Sequence, residues 1–323
     1  MLPVVAEMSD DESMTRRGAP PTNAVSRPSS RDVALLVVGV VAVSTSGPLI
    51  AATAAPALAI AFWRNAFGTM ALAPFALLGH RRELVQLNRH EWMLCLTGGI
   101  LLGLHFATWV PSLDYTSVAS STALVATQPA FTALIARARG QYVPARAWLG
   151  IAIAFAGVLV ISGVDLSLSA RALFGDLLSL IGAIFAALYV TVGAAARRTV
   201  GTTVYTFVAY AATSLLLLSL CLAGGQALSG YSASTWSKLV LLTVGAQLLG
   251  HTVFNAVLRT TSPTVMSLAL LFEMPGAALI AWVWLGQVPP AGVLPGAALL
   301  LTGTAIVVAS AARGSPTTVP PIE

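Results

Sequence analysis

Charged residues are scarce in this chain of 323 residues: Asp, Glu, Lys and Arg together make up only 9% of it. A soluble globular protein carries about 25% charged residues, because its surface has to face water. Hydrophobic residues make up 57% of the chain, and the mean hydropathy is +0.84. This balance excludes a soluble enzyme. The formal net charge of +5 is also too small to form a nucleic-acid-binding surface, so we expect no nucleic-acid partner.

Cysteine and catalytic motifs are equally scarce. Cys95 and Cys221 lie in separate apolar runs, and neither has a second Cys or a His at metal-ligand spacing. This excludes a secreted disulfide scaffold and predicts no metal site. The chain has no nucleotide-binding loop, no His-Glu-x-x-His motif and no Gly-x-Ser-x-Gly motif. We therefore expect a protein that has no cofactor and is not an enzyme.

Long apolar runs occupy most of the chain. A bilayer core about 30 Å thick is crossed by roughly 20 apolar residues in a helix, and ten runs approach that length. They are Val33–Ala52, Ala57–Gly79, Trp92–Pro111, Ser117–Ala136, Trp148–Val164, Phe174–Ala194, Val204–Gly224, Leu239–Leu258, Thr264–Leu285 and Gly292–Ala311. The sequence predicts an all-α polytopic membrane protein with ten transmembrane helices. The two ends, residues 1–31 and 312–323, are rich in Pro and Ser and poor in aliphatic residues, which is typical of disordered tails.

The basic residues indicate how the chain is oriented. With ten spans and a cytoplasmic N-terminus, fourteen Arg fall on the cytoplasmic side, and only Arg171 and Lys238 fall on the outer side. Cytoplasmic loops of membrane proteins carry such an excess of positive charge. We therefore expect a multi-pass protein of the cytoplasmic membrane with both termini in the cytoplasm. Arg64 is the one basic residue inside a predicted span.

The two halves of the sequence match each other at an offset of 146 residues, without a gap. The matches pair His105 with His251, Ser121 with Ser267, Ala123 with Ala269, Pro129 with Pro275, Gly140-Gln141 with Gly286-Gln287, Gly150 with Gly296 and Gly157 with Gly303. We expect two five-helix units, at residues 32–164 and 172–311. Because five is odd, the second unit is inverted relative to the first. Inverted repeats are typical of secondary transporters, whose binding site lies between the repeats near the bilayer midplane.

With these features the chain resembles the EamA domains of the drug/metabolite transporter superfamily. The resemblance is carried by Ala61–Asn65 in the second span, by Tyr115–Ser120 leading to Gln128-Pro129, and by Thr261–Ser267 leading to Glu273–Pro275. It covers about residues 33–311 and implies a ten-helix inner-membrane carrier of small metabolites, amino acids or drugs. In one respect the chain departs from the family. The family commonly has Gly-Glu after the fourth and ninth helices, where both units here have Gly-Gln.

Two charged residues inside the predicted spans are the first candidates for a binding site. Arg64 lies roughly 10 Å below the outer surface at 1.5 Å per residue, where an Arg costs about 2.5–3.5 kcal/mol. It either extends to the interface or contacts a substrate carboxylate or a protein counter-ion in the translocation cavity. Glu273 lies near the middle of the ninth span. It either couples transport to protons, binds a substrate amine or forms a buried ion pair, and Arg64 is the available partner.

Histidine, glutamine and tryptophan supply the remaining candidates. His105 and His251 occupy equivalent positions in the two units, either as hydrogen-bonded packing residues or as pH-sensitive groups facing a common cavity. Gln128 offers an amide to a substrate. Trp63 and Trp109 offer aromatic surfaces on which a substrate can stack.

Two prolines occupy equivalent positions within predicted spans. Pro129 and Pro275 each remove a backbone hydrogen bond from the helix, which frees carbonyl groups that must find another partner. They are either hinges beside the site or static kinks.

The leading hypothesis is a secondary carrier that moves small metabolites or amino acids by alternating access, as an exporter. A multidrug exporter of the same fold is the nearest alternative, although it would need an apolar, aromatic cavity. A membrane-embedded enzyme for lipid-linked substrates would instead cluster acidic or His residues at one membrane face, where the sequence offers only scattered Asp114, Asp165 and Asp176. A structural or receptor role is the third alternative. The expected partners are a small-molecule substrate and membrane lipids; substrate identity, direction, proton coupling and homo-oligomerisation stay open.

Overall fold

The structure is a computed structural model, and it describes residues 29–250, 253 and 269–313. All regular secondary structure in these residues is helical. Two segments, Phe75–Gly79 and Leu242–Gly250, are π-helical, and each directly continues an α-helix. The α-helices are α1 (Ser30–Ser44), α2 (Ser46–Ala51), α3 (Ala57–Pro74), α4 (Arg81–Gln86), α5 (Arg89–Ser112), α6 (Val118–Val125), α7 (Gln128–Ala138), α8 (Ala145–Leu168), α9 (Ala170–Ala196), α10 (Thr202–Ala223), α11 (Ala233–Leu241), α12 (Glu273–Leu285) and α13 (Val293–Arg313).

Seven stretches of the described residues are long and apolar enough to cross a bilayer. They are Ser30–Ala51, Arg89–Ser112, Val118–Ala138, Ala145–Ser167, Ala170–Ala196, Thr202–Ala223 and Val293–Ser310. Large apolar side chains on these helices are exposed, as expected of surfaces that face lipid. The protein is therefore an all-helical, multi-pass membrane protein. The other three predicted spans correspond to α3, to α11 with its π-helical continuation, and to α12, so the count of ten stays a prediction.

Side-chain caps define where several helices begin. Ser29 and Asp32 form a capping box at α1, and Asn88 and Glu91 form one at α5. Ser117 accepts a hydrogen bond from a backbone N–H in the first turn of α6. Such caps satisfy backbone donors that have no partner inside the helix.

Helices α8 and α13 make an unusually close antiparallel contact through four glycines. A Cβ atom at Gly150 would lie 2.7 Å from the carbonyl oxygen of Gly303, and one at Gly157 would lie 2.5 Å from the carbonyl oxygen of Gly296. Residue numbers rise along one helix as they fall along the other, so α8 and α13 run in opposite directions. Small residues let membrane helices approach this closely.

The largest buried cluster lies among α2, α3, α5, α10, α11 and the π-helical segment Leu242–Gly250. Helix α5 packs against both α9 and α10, and α3 packs against α10. The segment Leu242–Gly250 packs against α1 and α3, and α12 packs against α1 and α6. This arrangement places α3, on which Arg64 lies, in the middle of the bundle.

Three breaks interrupt the helices near this centre. Thr45 separates α1 from α2, residues 126–127 separate α6 from α7, and residues 271–272 form a turn just before α12. Pro129 is the second residue of α7 and Pro275 is the third residue of α12. Proline is tolerated in a first turn, where its missing N–H needs no intrahelical partner. Both prolines therefore follow a helix break rather than lie inside a continuous helix, and their role as hinges stays a prediction.

Candidate functional site

Arg64 is buried in the centre of the bundle, and its hydrogen bonds go to neutral groups. Its side chain is only 5% exposed, so the guanidinium group does not reach the interface. Nε donates to Oε1 of Gln247 at 2.8 Å, and Nη1 donates to Oγ of Ser46 at 3.0 Å. The guanidinium carbon also lies 4.7 Å from the ring centre of Phe106, within the range of a cation–π contact.

Two helix irregularities supply the hydrogen-bonding partners of this arginine, and a third packs beside them. Ser46 begins α2 directly after the break at Thr45, and Gln247 lies in the π-helical segment. Ser44 donates from Oγ to the backbone carbonyl of Glu273, the first residue of α12, at 3.3 Å. Helix interruptions inside a membrane protein leave backbone groups that can bind a ligand, and they recur at the binding sites of transporters.

Several buried polar atoms near Arg64 lack a hydrogen-bonding partner within the described part of the chain. They are Nε2 of Gln247, Oδ1 of Asn65 and Nε1 of Trp109. A buried donor or acceptor without a partner is rare and calls for an explanation, such as a water molecule or ligand. The amide of Gln247 also lies beside the hydroxyl of Tyr210, so Asn65 and Trp109 supply the acceptor and the donor that are left without a partner.

Glu273 lies near Arg64 without being its hydrogen-bonding partner. The carboxylate and the guanidinium are close enough to interact electrostatically, and the Glu273 side chain is half-buried. In the residues that the structure describes, the hydrogen bonds of Arg64 go instead to Gln247 and Ser46. A negatively charged ligand could therefore approach the guanidinium without displacing a carboxylate.

His105 and Trp109 form the neighbouring wall on α5. Nδ1 of His105 lies 3.0 Å from the backbone carbonyl of Gly182 on α9, and a carbonyl only accepts, so Nδ1 carries the hydrogen. The imidazole stacks on Trp109 with ring centres 5.5 Å apart, and Arg64 acts on it electrostatically. Arg64, Glu273, His105 and Trp109, which the sequence singled out separately, thus lie in one region of the bundle.

Comparison with known proteins also indicates a membrane transporter. The sequence profile of the EamA-like transporter family matches the chain twice, at residues 31–163 and 173–309. The chain belongs to this family. An uncharacterized transporter from Archaeoglobus fulgidus is 24% identical over 216 residues, which cover 65% of this chain and 73% of the relative. A solved crystal structure superimposes with a TM-score of 0.61 and 19% identity, over 88% of this chain and 99% of the other; at that identity the likeness concerns the fold alone.

The departure from the EamA-like Gly-Glu pattern has a structural counterpart. Gly140 and Gly286 adopt positive φ angles of 80° and 67°, in the left-handed region that favours glycine. Oε1 of Gln287, which follows Gly286, accepts a hydrogen bond from the backbone N–H of Val118 at 3.3 Å, at the start of α6. An amide oxygen thus makes this contact between the second unit and the first.

Two other predicted site residues have partners of their own. Trp63 donates from Nε1 to the carbonyl of Leu228 at 2.9 Å and packs edge-to-face on Trp236. Gln128 donates from its amide to the hydroxyl of Thr132, one turn further along α7, at 3.0 Å. These contacts are the ones expected of packing residues, and a role for Trp63 or Gln128 in binding stays a prediction. His251 lies outside the described residues.

Among the described residues, no group of three or more His, Cys, Asp and Glu is arranged to hold a metal ion. Sequence reasoning missed the partners of the arginine, namely Ser46, Gln247 and Phe106. Gln247 gave a usable signal, because it is an amide inside an apolar span. Ser46 gave none, because Ser is common in this chain. Reasoning also treated Asp165 and Asp176 as scattered, whereas they lie together, as described below.

The Gln247–Arg64 hydrogen bond predicts a measurable loss of stability in Gln247→Leu. Removing the amide leaves Nε of the buried guanidinium without a partner, and a hydrogen bond to a charged group contributes about 1.5–3 kcal/mol. We expect the free energy of unfolding of the detergent-solubilised protein to fall by about that amount. Gln247→Glu should unfold close to the parent protein, because its carboxylate can pair with Arg64.

Gln141 provides the matched control, because it is an exposed glutamine. Gln141→Leu should change the free energy of unfolding by no more than about 0.5 kcal/mol. Equal losses in Gln247→Leu and Gln141→Leu would contradict the assigned role of Gln247.

Proposed function

We propose that this EamA-like protein is a secondary carrier for small solutes with a carboxylate group, such as amino acids and other metabolites. The observation that carries the proposal is Arg64, a buried cation whose hydrogen bonds go to neutral groups. A charged side chain inside a membrane protein is costly and marks a substrate or ion pathway by default. A carboxylate is the ligand that a guanidinium binds best, through two parallel hydrogen bonds.

Two inverted five-helix units around this site are the second part of the proposal. Shifting the bounds of α3, α7 and α8 by 146 residues brings them close to those of α10, α12 and α13, and α1 and α2 together fall largely within α9 after the same shift. The breaks at residues 126–127 and 271–272 correspond in the same way. Such agreement in both helices and breaks supports two copies of one unit.

The packing supports a twofold relation between the units. Gly150 packs on Gly303, which is the sequence equivalent of Gly157. In the same way Gly157 packs on Gly296, which is the sequence equivalent of Gly150. Reciprocal contacts of this kind are what a twofold axis produces. The pairs α5–α9 and α7–α9 likewise have their counterparts in the contacts of Leu242–Gly250 and α12 with α1. Antiparallel packing of α8 on α13 is the arrangement expected when the axis lies in the membrane plane.

Alternating access then follows from the two units exchanging shapes about Arg64. We propose both termini in the cytoplasm, because the excess of Arg falls on that side, and export as the direction of transport. We also propose that protons drive the export, since the chain carries no nucleotide-binding motif. Neither direction nor coupling follows from the buried arginine alone.

A membrane-embedded enzyme, the alternative from another class, would need acidic residues clustered at one membrane face. Asp165 and Asp176 do lie close together, but they are 3% and 0% exposed. Side chains buried to this extent cannot meet the head group of a lipid-linked substrate without a large rearrangement. Membership of a transporter family also favours a carrier over an enzyme.

Counterflow in proteoliposomes tests the proposal. Vesicles are loaded with unlabelled L-amino acids, one per preparation, and diluted into traces of the same amino acid in labelled form. We expect transient accumulation of the label for at least one amino acid and none for its decarboxylated amine. No accumulation with any amino acid or with small carboxylic acids would refute the proposal. Accumulation of bulky apolar cations would favour a multidrug exporter, and chemical conversion without flux would favour an enzyme.

A further inference from the structure

Two buried carboxyl groups lie together between α8 and α9, apart from the site around Arg64. Asp176 is 0% exposed and Asp165 is 3% exposed. Oδ2 of Asp165 accepts a hydrogen bond from the hydroxyl of Thr116 at 3.2 Å. Neither carboxyl oxygen of Asp176 makes a well-formed hydrogen bond among the described residues, but Ser162, Thr116 and Asp165 lie close enough to interact with it. A fully buried carboxyl whose close neighbours are two hydroxyl groups and a second carboxyl is costly to ionise.

The groups beside Asp176 are Asp165, Thr116 and Ser162, and none of them is a cation. The nearest basic side chain of these elements, Arg171, is directed elsewhere. It donates to the backbone carbonyl of Asp114 at 3.1 Å and lies 5.0 Å from the ring centre of Tyr115.

The remaining titratable neighbour lies in the loop before α6. Desolvation raises the pKa of Asp114, and the charge of Arg171 opposes that shift. Asp114 and Tyr115 lie in this loop, and α6 and the first half of α13, which also pack near the pair, carry no titratable residue. The groups that act directly on Asp176 are therefore Asp165 and the two hydroxyl groups. Of the other helices packed on α9, α5 carries His105, which is held at the carbonyl of Gly182, and α7 carries Arg137 in its last turn.

Two carboxyl groups in a shared low-dielectric site cannot both carry a charge at low cost, so such pairs hold a proton between them. A groove of about 410 Å³ runs along this side of the bundle, and both Ser162 and Asp176 line it. On the inner side, one turn beyond Asp176, Ser179 donates to Ser121 at 3.1 Å, and the hydroxyls of Ser121 and Ser112 lie 2.8 Å apart. All three serines are fully buried.

This row of hydroxyl groups leads from the pair toward the site around Arg64. Ser112 lies on α5 and donates from Oγ to the backbone carbonyl of Trp109 at 2.6 Å. Trp109 in turn stacks on His105. The row of serines thus begins one turn from Asp176 and ends at Trp109, in the region where we propose the substrate binds.

We propose that Asp165 and Asp176 share one exchangeable proton and that this pair is the proton-coupling site of the carrier. With the proton bound, the pair has one negative charge, which Thr116 and Ser162 can stabilise while the helices are closed. Release of the proton to water leaves two negative charges, and these need hydration, so α8 and α9 must open toward water. Release of the proton is thereby linked to the opening of α8 and α9 toward water.

Infrared spectroscopy tests the proton-binding part without any substrate. The parent protein is reconstituted in lipid, titrated with pH and followed by the C=O stretch of protonated carboxylic acids. We expect a band that disappears as the pH rises, that shifts when the protein is labelled with ¹³C-aspartate, and that is absent from the double variant Asp165→Asn/Asp176→Asn. The variants Glu273→Gln and Asp114→Asn should keep it.

A band that ignores the aspartate label, or that disappears only in Glu273→Gln, would overturn the proposal. Loss of folding in the double variant would not leave the question open, because the isotope shift is read in the parent protein. The single variants Asp165→Asn and Asp176→Asn provide a second reading.

Coupling is tested in vesicles that contain a pH-sensitive dye and an imposed gradient of the amino acid that gives the strongest counterflow. This part rests on the proposed function. We expect the parent protein to move protons against the amino acid, and Asp176→Asn to exchange the amino acid while proton movement falls to that of protein-free vesicles. Proton movement that persists in Asp176→Asn and Asp165→Asn, or that follows a sodium gradient instead, would refute the coupling role. An absence of amino acid flux in the parent protein would refute the proposed function, while the infrared titration still decides the proton site.

Discussion

The Arg64→Gln variant is expected to bind carboxylate-bearing amino acids about 10- to 100-fold more weakly than the parent protein. A hydrogen bond to a charged group contributes about 1.5–3 kcal/mol, and each 1.4 kcal/mol corresponds to roughly tenfold in affinity. The measurement is the concentration dependence of counterflow for the amino acid that the parent protein transports best. The affinity of Arg64→Lys should lie between those of the parent protein and Arg64→Gln. Lysine keeps the charge but lacks the planar group that pairs with both carboxylate oxygens.

Arg171 supplies the matched control, since it is an exposed arginine on α9. Arg171→Gln should transport like the parent protein. Thermal unfolding of each variant in detergent shows whether the protein is folded, because a misfolded Arg64→Gln would lose transport for another reason. A folded Arg64→Gln variant with unchanged affinity for the carboxylate would contradict the assignment of the site.

Replacing Gly157 by leucine is expected to force α8 and α13 apart and to destabilise the bundle. A Cβ at this position would lie 2.5 Å from the carbonyl oxygen of Gly296 and 2.6 Å from the backbone nitrogen of Leu300. Backbone atoms cannot rotate away as a side chain can, so α8 and α13 must separate. Overpacking costs about 1–3 kcal/mol and occasionally more, and for a chain of 323 residues the upper end of that range corresponds to a fall of roughly 4 °C in the unfolding midpoint.

Gly163 is the control for this variant because it lies on the same helix. A Cβ there would meet nothing within 4 Å, so Gly163→Leu should unfold close to the parent midpoint. If Gly157→Leu and Gly163→Leu unfolded at the same temperature, the close contact between α8 and α13 would not be what stabilises this pair of helices.

The positions of these glycines could be predicted from the sequence, but their contacts could not. The offset of 146 residues pairs Gly150 with Gly296 and Gly157 with Gly303. In the structure the contacts are crossed, with Gly150 against Gly303 and Gly157 against Gly296. A sequence repeat identifies equivalent positions, whereas contact depends on the direction in which the two helices run past each other.

The candidate site was predictable to a similar degree. Arg64 and Glu273 stand out in the sequence because a charge inside an apolar run is costly. Their relation could not be read from it, since the structure gives Arg64 the neutral partners Ser46 and Gln247, the second of them 183 residues away. A hydrogen bond depends on distance and angle within a few tenths of an ångström, and a hydropathy pattern holds no such information.

By itself, the sequence determined that this protein is helical and crosses the membrane several times, because too few polar residues are present to cover a surface in water. It also identified the transporter family, through motifs that are local in the chain. Only the tertiary structure decided which polar groups meet: Arg64 with an amide and a hydroxyl, and Asp165 with Asp176. The physical reason is one of range. Burial of apolar surface depends on composition and periodicity, whereas pairing of polar groups depends on how separate helices pack against one another.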